Sequence, residues 1–289
     1  MTILVFGKNG QVARSLAARE GEAPAPLVFL GRDQADLSLP AQCAAAIEQQ
    51  RPLAVINAAA WTAVDTAEGS EAEACVVNGE APGAMARTCA ELAIPFLHVS
   101  SDYVFDGSGT LPWAPAAPVA PLGAYGRSKA LGEARIRDSG ARAVALRTSW
   151  VFSPFGTNFV KTMLRLGAER ESLSVVNDQV GGPTSAHSIA GALLAMATQL
   201  LAGKAGGVYH FSGTPAVSWA AFAESIMTQA NLPCEIRPIP TSAYPTPAPR
   251  PLNSRLDCAS ILDDFGIEQP DWRMDLADVL ESLYEGVNP

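Results

Sequence analysis

Cysteine and histidine are sparse in this chain and scattered along it. The five cysteines (Cys43, Cys75, Cys89, Cys234 and Cys258) include no Cys-x-x-Cys pair, and His98, His187 and His210 are just as dispersed. This pattern argues against a zinc knuckle, a structural metal cage and a redox dithiol, and it suits a reducing cytoplasm. Long apolar runs are also missing. The longest, roughly Ile189 to Ala202, is interrupted by Thr198 and Gln199 and is shorter than the about 20 residues of a membrane span, so a buried helix is expected. Met1 to Gly7 carries neither a basic n-region nor a cleavage-site pattern and reads as a first strand, not a signal peptide. Positive charge is in deficit, with 20 basic against 29 acidic residues and a formal net charge of −9. Nucleic-acid affinity rests largely on neutralised phosphates, so a nucleic-acid partner is not expected, nor is a membrane one.

What the chain does have is core material. It is 48% hydrophobic over 289 residues, enough for one large domain or two modest ones. Strand patterns at Ile3–Phe6, Leu27–Leu30, Leu53–Ile56, Pro95–Ser100 and Ala143–Arg147 alternate with helix patterns at Gly10–Arg19, Ala41–Gln50, Glu71–Ala93 and Ala124–Arg137. Nearly continuous apolar strands separated by helices predict an α/β fold, a doubly wound parallel sheet covered on both faces. After about residue 150 the regularity falls. Leu173–Val176 and Val208–Phe211 read as strands, and Ser185–Leu201 and Trp219–Ala230 as helices. Ile236–Pro251 holds six prolines, which fix φ and remove donors, so it reads as an extended surface loop or a linker.

Between the first strand and first helix lies Gly7-Lys8-Asn9-Gly10-Gln11-Val12-Ala13. Glycines there let the chain turn tightly and bring backbone N–H groups to a pyrophosphate at a helix N-terminus, and Ala13 allows close helix–strand packing. NAD-selective sites usually end the second strand on a carboxylate that binds the adenosine ribose. Here Gly31 offers none and Arg32 follows, either to meet a 2′-phosphate or as a solvated surface charge. Tyr125 and Lys129 stand at i and i+4, on one face of a helix. A phenol near its free value of about 10 would be drawn down by a neighbouring ammonium, toward use as a proton donor or acceptor, unless the pairing is fortuitous. Ser101 ends the fourth strand, where ligands of doubly wound folds sit, and its hydroxyl could bond a substrate carbonyl beside Tyr125.

The segments GKNGQV, NAAAWTAVDTAE, SSDYVFDG, YGRSK, RTSWVF, NFVKTMLRL, NDQVGGPTSA and PTSAYPTPAPRPLNSRL occur in order from about residue 3 to about residue 260. Together they resemble the dTDP-4-dehydrorhamnose reductases, a family of extended short-chain dehydrogenases. The resemblance implies a Rossmann-like NAD(P)-binding domain over residues 1–150. It implies a smaller α/β domain, mainly for the nucleotide sugar, over residues 151–289, with some segments returning to the first. The implied activity is reduction of a dTDP-sugar ketone by NADPH or NADH in dTDP-L-rhamnose biosynthesis, feeding a rhamnose-containing glycan such as lipopolysaccharide O antigen.

By the same resemblance Tyr125 would donate the proton, Lys129 would bond the nicotinamide ribose and tune Tyr125, and Ser101 would polarise the ketone. Gly7, Gly10, Gln11 and Val12 would hold the pyrophosphate, Asp36 and Leu37 the adenine, and Ala59, Ala60 and Thr62 the region after the third strand. Asp102 and Trp150 would line the sugar pocket, with core packing the alternative for Trp150. Asn158 would approach the diphosphate or cap a helix; Arg250 and Arg255 would meet phosphates or form surface salt bridges. Two departures stand out. Some relatives are magnesium-bridged dimers, but two of their acidic positions are Ser15 and His187 here, so Mg2+ is doubtful and monomer or homodimer stays open. Trp61 replaces another ring-bearing residue. Asp102 is followed by Tyr103 and not by the glutamate base of a 4,6-dehydratase. Another nucleotide-sugar epimerase or reductase, and a non-catalytic NADP-binding regulatory subunit, are the competing readings.

Overall fold

A computed structural model describes residues 1–285, so the last four residues of the expected second domain lie outside the described part. Strands β1 (Ile3–Phe6), β2 (Leu27–Leu30), β3 (Ala54–Asn57), β4 (Phe96–Ser101) and β5 (Ala143–Thr148) form a parallel sheet. A sixth strand, Gly207–His210, pairs with β5, giving the order Gly207–His210, β5, β4, β3, β1, β2. Because side chains alternate across a strand, β1 sends Ile3 and Val5 to one face and Leu4 and Phe6 to the other, all fully buried. Ile3 and Val5 pack with helix α1 (Gln11–Ala18) and the helix Ala186–Leu201. Leu4 and Phe6 pack with helix α2 (Pro40–Gln50) and the long helical segment Glu71–Glu91. The fold is Rossmann-like and doubly wound. Ala186–Leu201, the longest apolar run, is a core helix, and among the described residues no helix is long and apolar enough to cross a membrane.

Two local features bring the site together. Glu71–Ala93 reads in the sequence as one regular helix, but the helical segment ends at Glu91 and widens to a π-type turn at Val76–Glu80. This turn places Asn78 so that its side chain accepts from Trp61 N–H (2.8 Å) and donates to Trp61 C=O (3.0 Å) and Ser128 Oγ (2.9 Å). The helix Ala124–Asp138, called here the tyrosine helix, lies close against it: a Cβ on Gly79 would stand 2.6 Å from Leu131, and one on Gly132 would meet the Asn78 carbonyl oxygen. Glycine is required there by close approach, not by turn geometry.

A separate core gathers Phe152, Val160, Leu173, Phe222, Ile226 and Trp272 from later segments. In it, Glu235–Ile239 pairs in parallel with Ser172–Val176, and Pro238 sits opposite Val175. The start of the proline-rich stretch is therefore a strand and not a loop. It lies at the edge of a two-stranded sheet, where a missing N–H is tolerated. Beyond it, residues 240–252 run without a further strand, apart from a single 3-10 turn at Thr241–Ala243.

Candidate active site

A cavity of about 980 Å3 opens at the carboxyl ends of β1, β3, β4 and β5. It lies where the winding reverses on either side of β1, the usual ligand crevice of an open α/β sheet. Gly7 has φ 104°, and a Cβ there would stand 3.3 Å from Ala59 N. Gly10 begins α1 without a side-chain cap, so the first-turn N–H groups at Gln11, Val12 and Ala13 remain for a ligand at the positive end of the helix. These features fit a dinucleotide pyrophosphate. Ala59, Ala60 and Thr62 line the same cavity, as do Arg32, Asp36 and Leu37.

Arg32 is largely exposed (79%) and forms an ion pair with Asp36 at 3.2 Å. The Ser38 N–H, helped by Arg32, holds the Asp36 carboxyl below the ordinary range. Lys8 is a second cation lining this end, its stem beside Gly31.

At the opposite end, Ser101, Tyr125 and Lys129 line the cavity together. Ser101 ends β4 and pairs in register with Thr148 at the end of β5. Its hydroxyl donates to Asp102 Oδ1 (2.9 Å) and accepts from Tyr103 N–H (3.2 Å). Tyr125, in the first turn of the tyrosine helix, packs edge-to-face on Tyr103. Burial pushes the Tyr125 phenol up to about 12, with Ser101 pulling it down and Asp102 pushing it further up. The downward shift expected from Lys129 is absent, because desolvation dominates and the Lys129 side chain is engaged elsewhere. Its Nζ lies 2.7 Å from Val99 C=O, to which it donates, and 3.1 Å from His98 Nε2. Burial lowers Lys129 to about 8, opposed by Glu133.

Asp102 is buried, and desolvation raises it to about 6 against the Ser254 and Ser101 hydroxyls. Its Oδ2 and the Thr148 hydroxyl are buried at this cavity without a protein partner. Buried polar atoms normally find partners, so both are suited to a ligand. Trp150 lines the cavity and also stacks on Trp219, with ring centroids 3.6 Å apart, so the packing and pocket readings meet in one side chain. Asn158 caps the helix Phe159–Glu169 through Lys161 N–H and also donates to Gln11 Oε1 (2.9 Å). Ser153 donates to the same oxygen (2.8 Å), tying the 153–158 loop to the glycine turn. Arg250 and Arg255 are not brought to the cavity lining. Arg250 forms a bidentate pair with Asp65 (2.6 and 2.8 Å), and Arg255 donates to Asn253 Oδ1 (3.0 Å).

Sequence reasoning missed Thr148, Asn57, Asn78 and the role of His98. Isolated Thr and Asn carry no spacing signal, and His98 looked like one more residue of an apolar strand.

The RmlD substrate binding domain model matches residues 1–285. The chain belongs to this family. It is 46% identical to a dTDP-4-dehydrorhamnose reductase of Burkholderia thailandensis, over 94% of this chain and 96% of that protein. It is 38% identical to one from Escherichia coli K12, over 98% of each. Among solved structures, a dTDP-4-dehydrorhamnose reductase of Clostridium acetobutylicum superposes with TM-score 0.92 at 30% identity, covering 98% of this chain and 100% of that one. The Bacillus anthracis enzyme in complex with NADP has TM-score 0.89 at 30% identity, covering 97% and 99%.

Proposed function

We propose that this member of the RmlD family reduces the C4 ketone of dTDP-4-dehydrorhamnose to the alcohol of dTDP-L-rhamnose, using NADPH or NADH. The observation that carries this reading is one cavity that runs from an uncapped glycine turn to Ser101, Tyr125 and Lys129. Bound reduced nicotinamide supplies the hydride. The chain's own residues do the rest. Gly7, Gly10, Gln11 and Val12 hold the pyrophosphate, and Ala59, Ala60 and Thr62 pack beside it. Asp36 and Leu37 would flank the adenine, and Arg32 and Lys8, which line the same end of the cavity, would meet a 2′-phosphate. Ser101 donates a hydrogen bond to the C4 oxygen and concentrates negative charge there as the carbonyl bond opens.

Tyr125 then gives its proton to that oxygen. A phenol held near 12 stays protonated at neutral pH, which is the state a donor needs. The phenolate left behind is stabilised by a proton that Lys129 takes up from solvent, and passage of that proton to Tyr125 restores both the phenol and the neutral amine. Lys129 keeps one N–H for the nicotinamide ribose. Asp102 and Trp150 bound the sugar, and Asn158 faces the diphosphate from the end of its helix. Arg250 and Arg255 serve the phosphates only after leaving Asp65 and Asn253. We place the dinucleotide mainly on residues 1–150 and the nucleotide sugar mainly against the later segments.

Incubation with dTDP-4-dehydro-6-deoxy-L-mannose and each reduced cofactor tests the reading. Loss of nicotinamide absorbance with formation of dTDP-L-rhamnose, identified by NMR, is expected. Cofactor binding without oxidation would favour a regulatory subunit instead.

A further inference from the structure

The ammonium or amine of Lys129 does not end at a carbonyl; it is the outer member of a buried chain. Asn57 at the end of β3, His98 in β4 and Lys129 are at most 1% exposed. Ala59 N–H donates to Asn57 Oδ1 (3.1 Å), which fixes the amide with its oxygen toward Ala59. Asn57 Nδ2 is then turned to His98 Nδ1 at 3.0 Å, and His98 Nε2 faces Lys129 Nζ at 3.1 Å. Lys129 Nζ also donates to Val99 C=O at 2.7 Å.

Donor and acceptor counting along this chain has one satisfactory solution. An amide NH2 can only donate, so Nδ1 accepts and the ring proton sits on Nε2. An ammonium has three donors and no acceptor, whereas a neutral amine has a lone pair that can accept Nε2–H. The amide orientation that suits Ala59 therefore suits Lys129 as a neutral amine. An ammonium at Lys129 needs the proton on Nδ1, which then faces the Asn57 NH2. Relieving that conflict by turning the amide over brings NH2 against Ala59 N–H. An unpaired buried donor costs on the order of 1–3 kcal/mol, so the two ends of the chain are coupled.

We propose that His98, oriented by Asn57, is a positioning residue that selects the neutral amine at Lys129 and thereby sets the pH range of the reduction. The inference rests on the proposed reductase reading for its kinetic part only. It links proton uptake at Lys129 to the backbone at Ala59, which lines the dinucleotide end of the cavity. Burial holds His98 far below its ordinary value, so the ring works as a fixed neutral tautomer, not as a proton carrier.

Other ionisable groups on the elements around Lys129 include Glu68, which accepts from Ala124 N–H (2.8 Å), and Glu73 and Cys75. Tyr125 and Glu133 share the Lys129 helix, and Asp102 and Tyr103 follow β4. Glu133 accepts from Arg147 of β5 (2.6 Å) and from Ser100 (2.6 Å). Asp65, Glu71 and Glu80, from the helical segments packed on this helix, pair with Arg250, Arg127 and Arg135.

Two measurements test the inference. NMR of the protein with heavy nitrogen in its three histidine rings reads the tautomer directly, with His98 assigned by its loss in His98→Gln. The proton on Nε2 is expected above about pH 8, where Lys129 is the neutral amine, and a proton on Nδ1 there overturns the proposal. The pH profile of turnover is then compared among wild type, His98→Leu and His98→Gln. Removing the Nε2–H donor in His98→Leu should move the limb belonging to Lys129 upward by about one pH unit, the equivalent of one hydrogen bond. His98→Gln returns an N–H to the same place and should move the limb back toward wild type. Folded variants with an unmoved limb overturn the proposal. A wild-type protein that leaves the keto-sugar untouched refutes the reductase reading, while the tautomer measurement still decides the Lys129 arrangement.

Discussion

A phenol that burial has pushed up to about 12 and a carboxyl raised to about 6 stand at the same end of one cavity. Tyr125→Phe removes only the acidic oxygen. The expected result is an unchanged far-ultraviolet circular dichroism spectrum and turnover lower by roughly 10²–10⁴, the usual scale for a general acid. For Asp102 the folded value lies above the ordinary 3.8, so folding favours the protonated form. That contribution is complete below about 3.8 and is lost as pH rises through about 6. Asp102→Asn keeps the shape and removes the charge. Its Tm relative to wild type should therefore rise between pH 4 and pH 7.5, by the equivalent of roughly 2–3 kcal/mol. A Tm difference independent of pH would contradict this. Ser101, Tyr125 and Lys129 could be singled out in the sequence by strand-end position, spacing and family resemblance together, and the structure brings all three to one cavity. The direction of the Tyr125 shift was not legible in the sequence, since desolvation depends on packing that no local pattern encodes.

Among elements, the tyrosine helix is positioned by its contact with the π-type turn. Gly132→Ala would drive a methyl into the Asn78 carbonyl, and this backbone neighbour cannot step aside. A loss of about 1–3 kcal/mol is expected, read as a lower Tm. Turnover should fall as well, since Asn78 also holds Trp61 and Ser128. The strand and helix pattern of residues 1–150 was readable from apolar periodicity. The widened turn was not, because Val76–Glu80 has no distinguishing composition. Proline density likewise hid the strand at Glu235–Ile239. Its pairing with Ser172–Val176 depends on an edge position that only the assembled second core reveals.

For the whole molecule, the parallel sheet, the two covering helix layers and the cavity at the strand ends follow from the alternation of elements, and the fold was legible at that level. The second core was less so, since its parts are spread from Phe152 to Trp272. A ligand that binds only the folded state stabilises it by mass action. NADPH at about a hundredfold its Kd should add about 2.7 kcal/mol and raise Tm by several degrees. On the proposed reading, the cavity brings the dihydronicotinamide and the sugar ketone together for direct hydride transfer. Reduction with NADPH carrying deuterium at its transferred position is the decisive test. Deuterium bonded to C4 of dTDP-L-rhamnose, with incorporation slowed in Tyr125→Phe, is the predicted result; product without deuterium at C4, or an epimerised sugar with the cofactor unchanged, would contradict it.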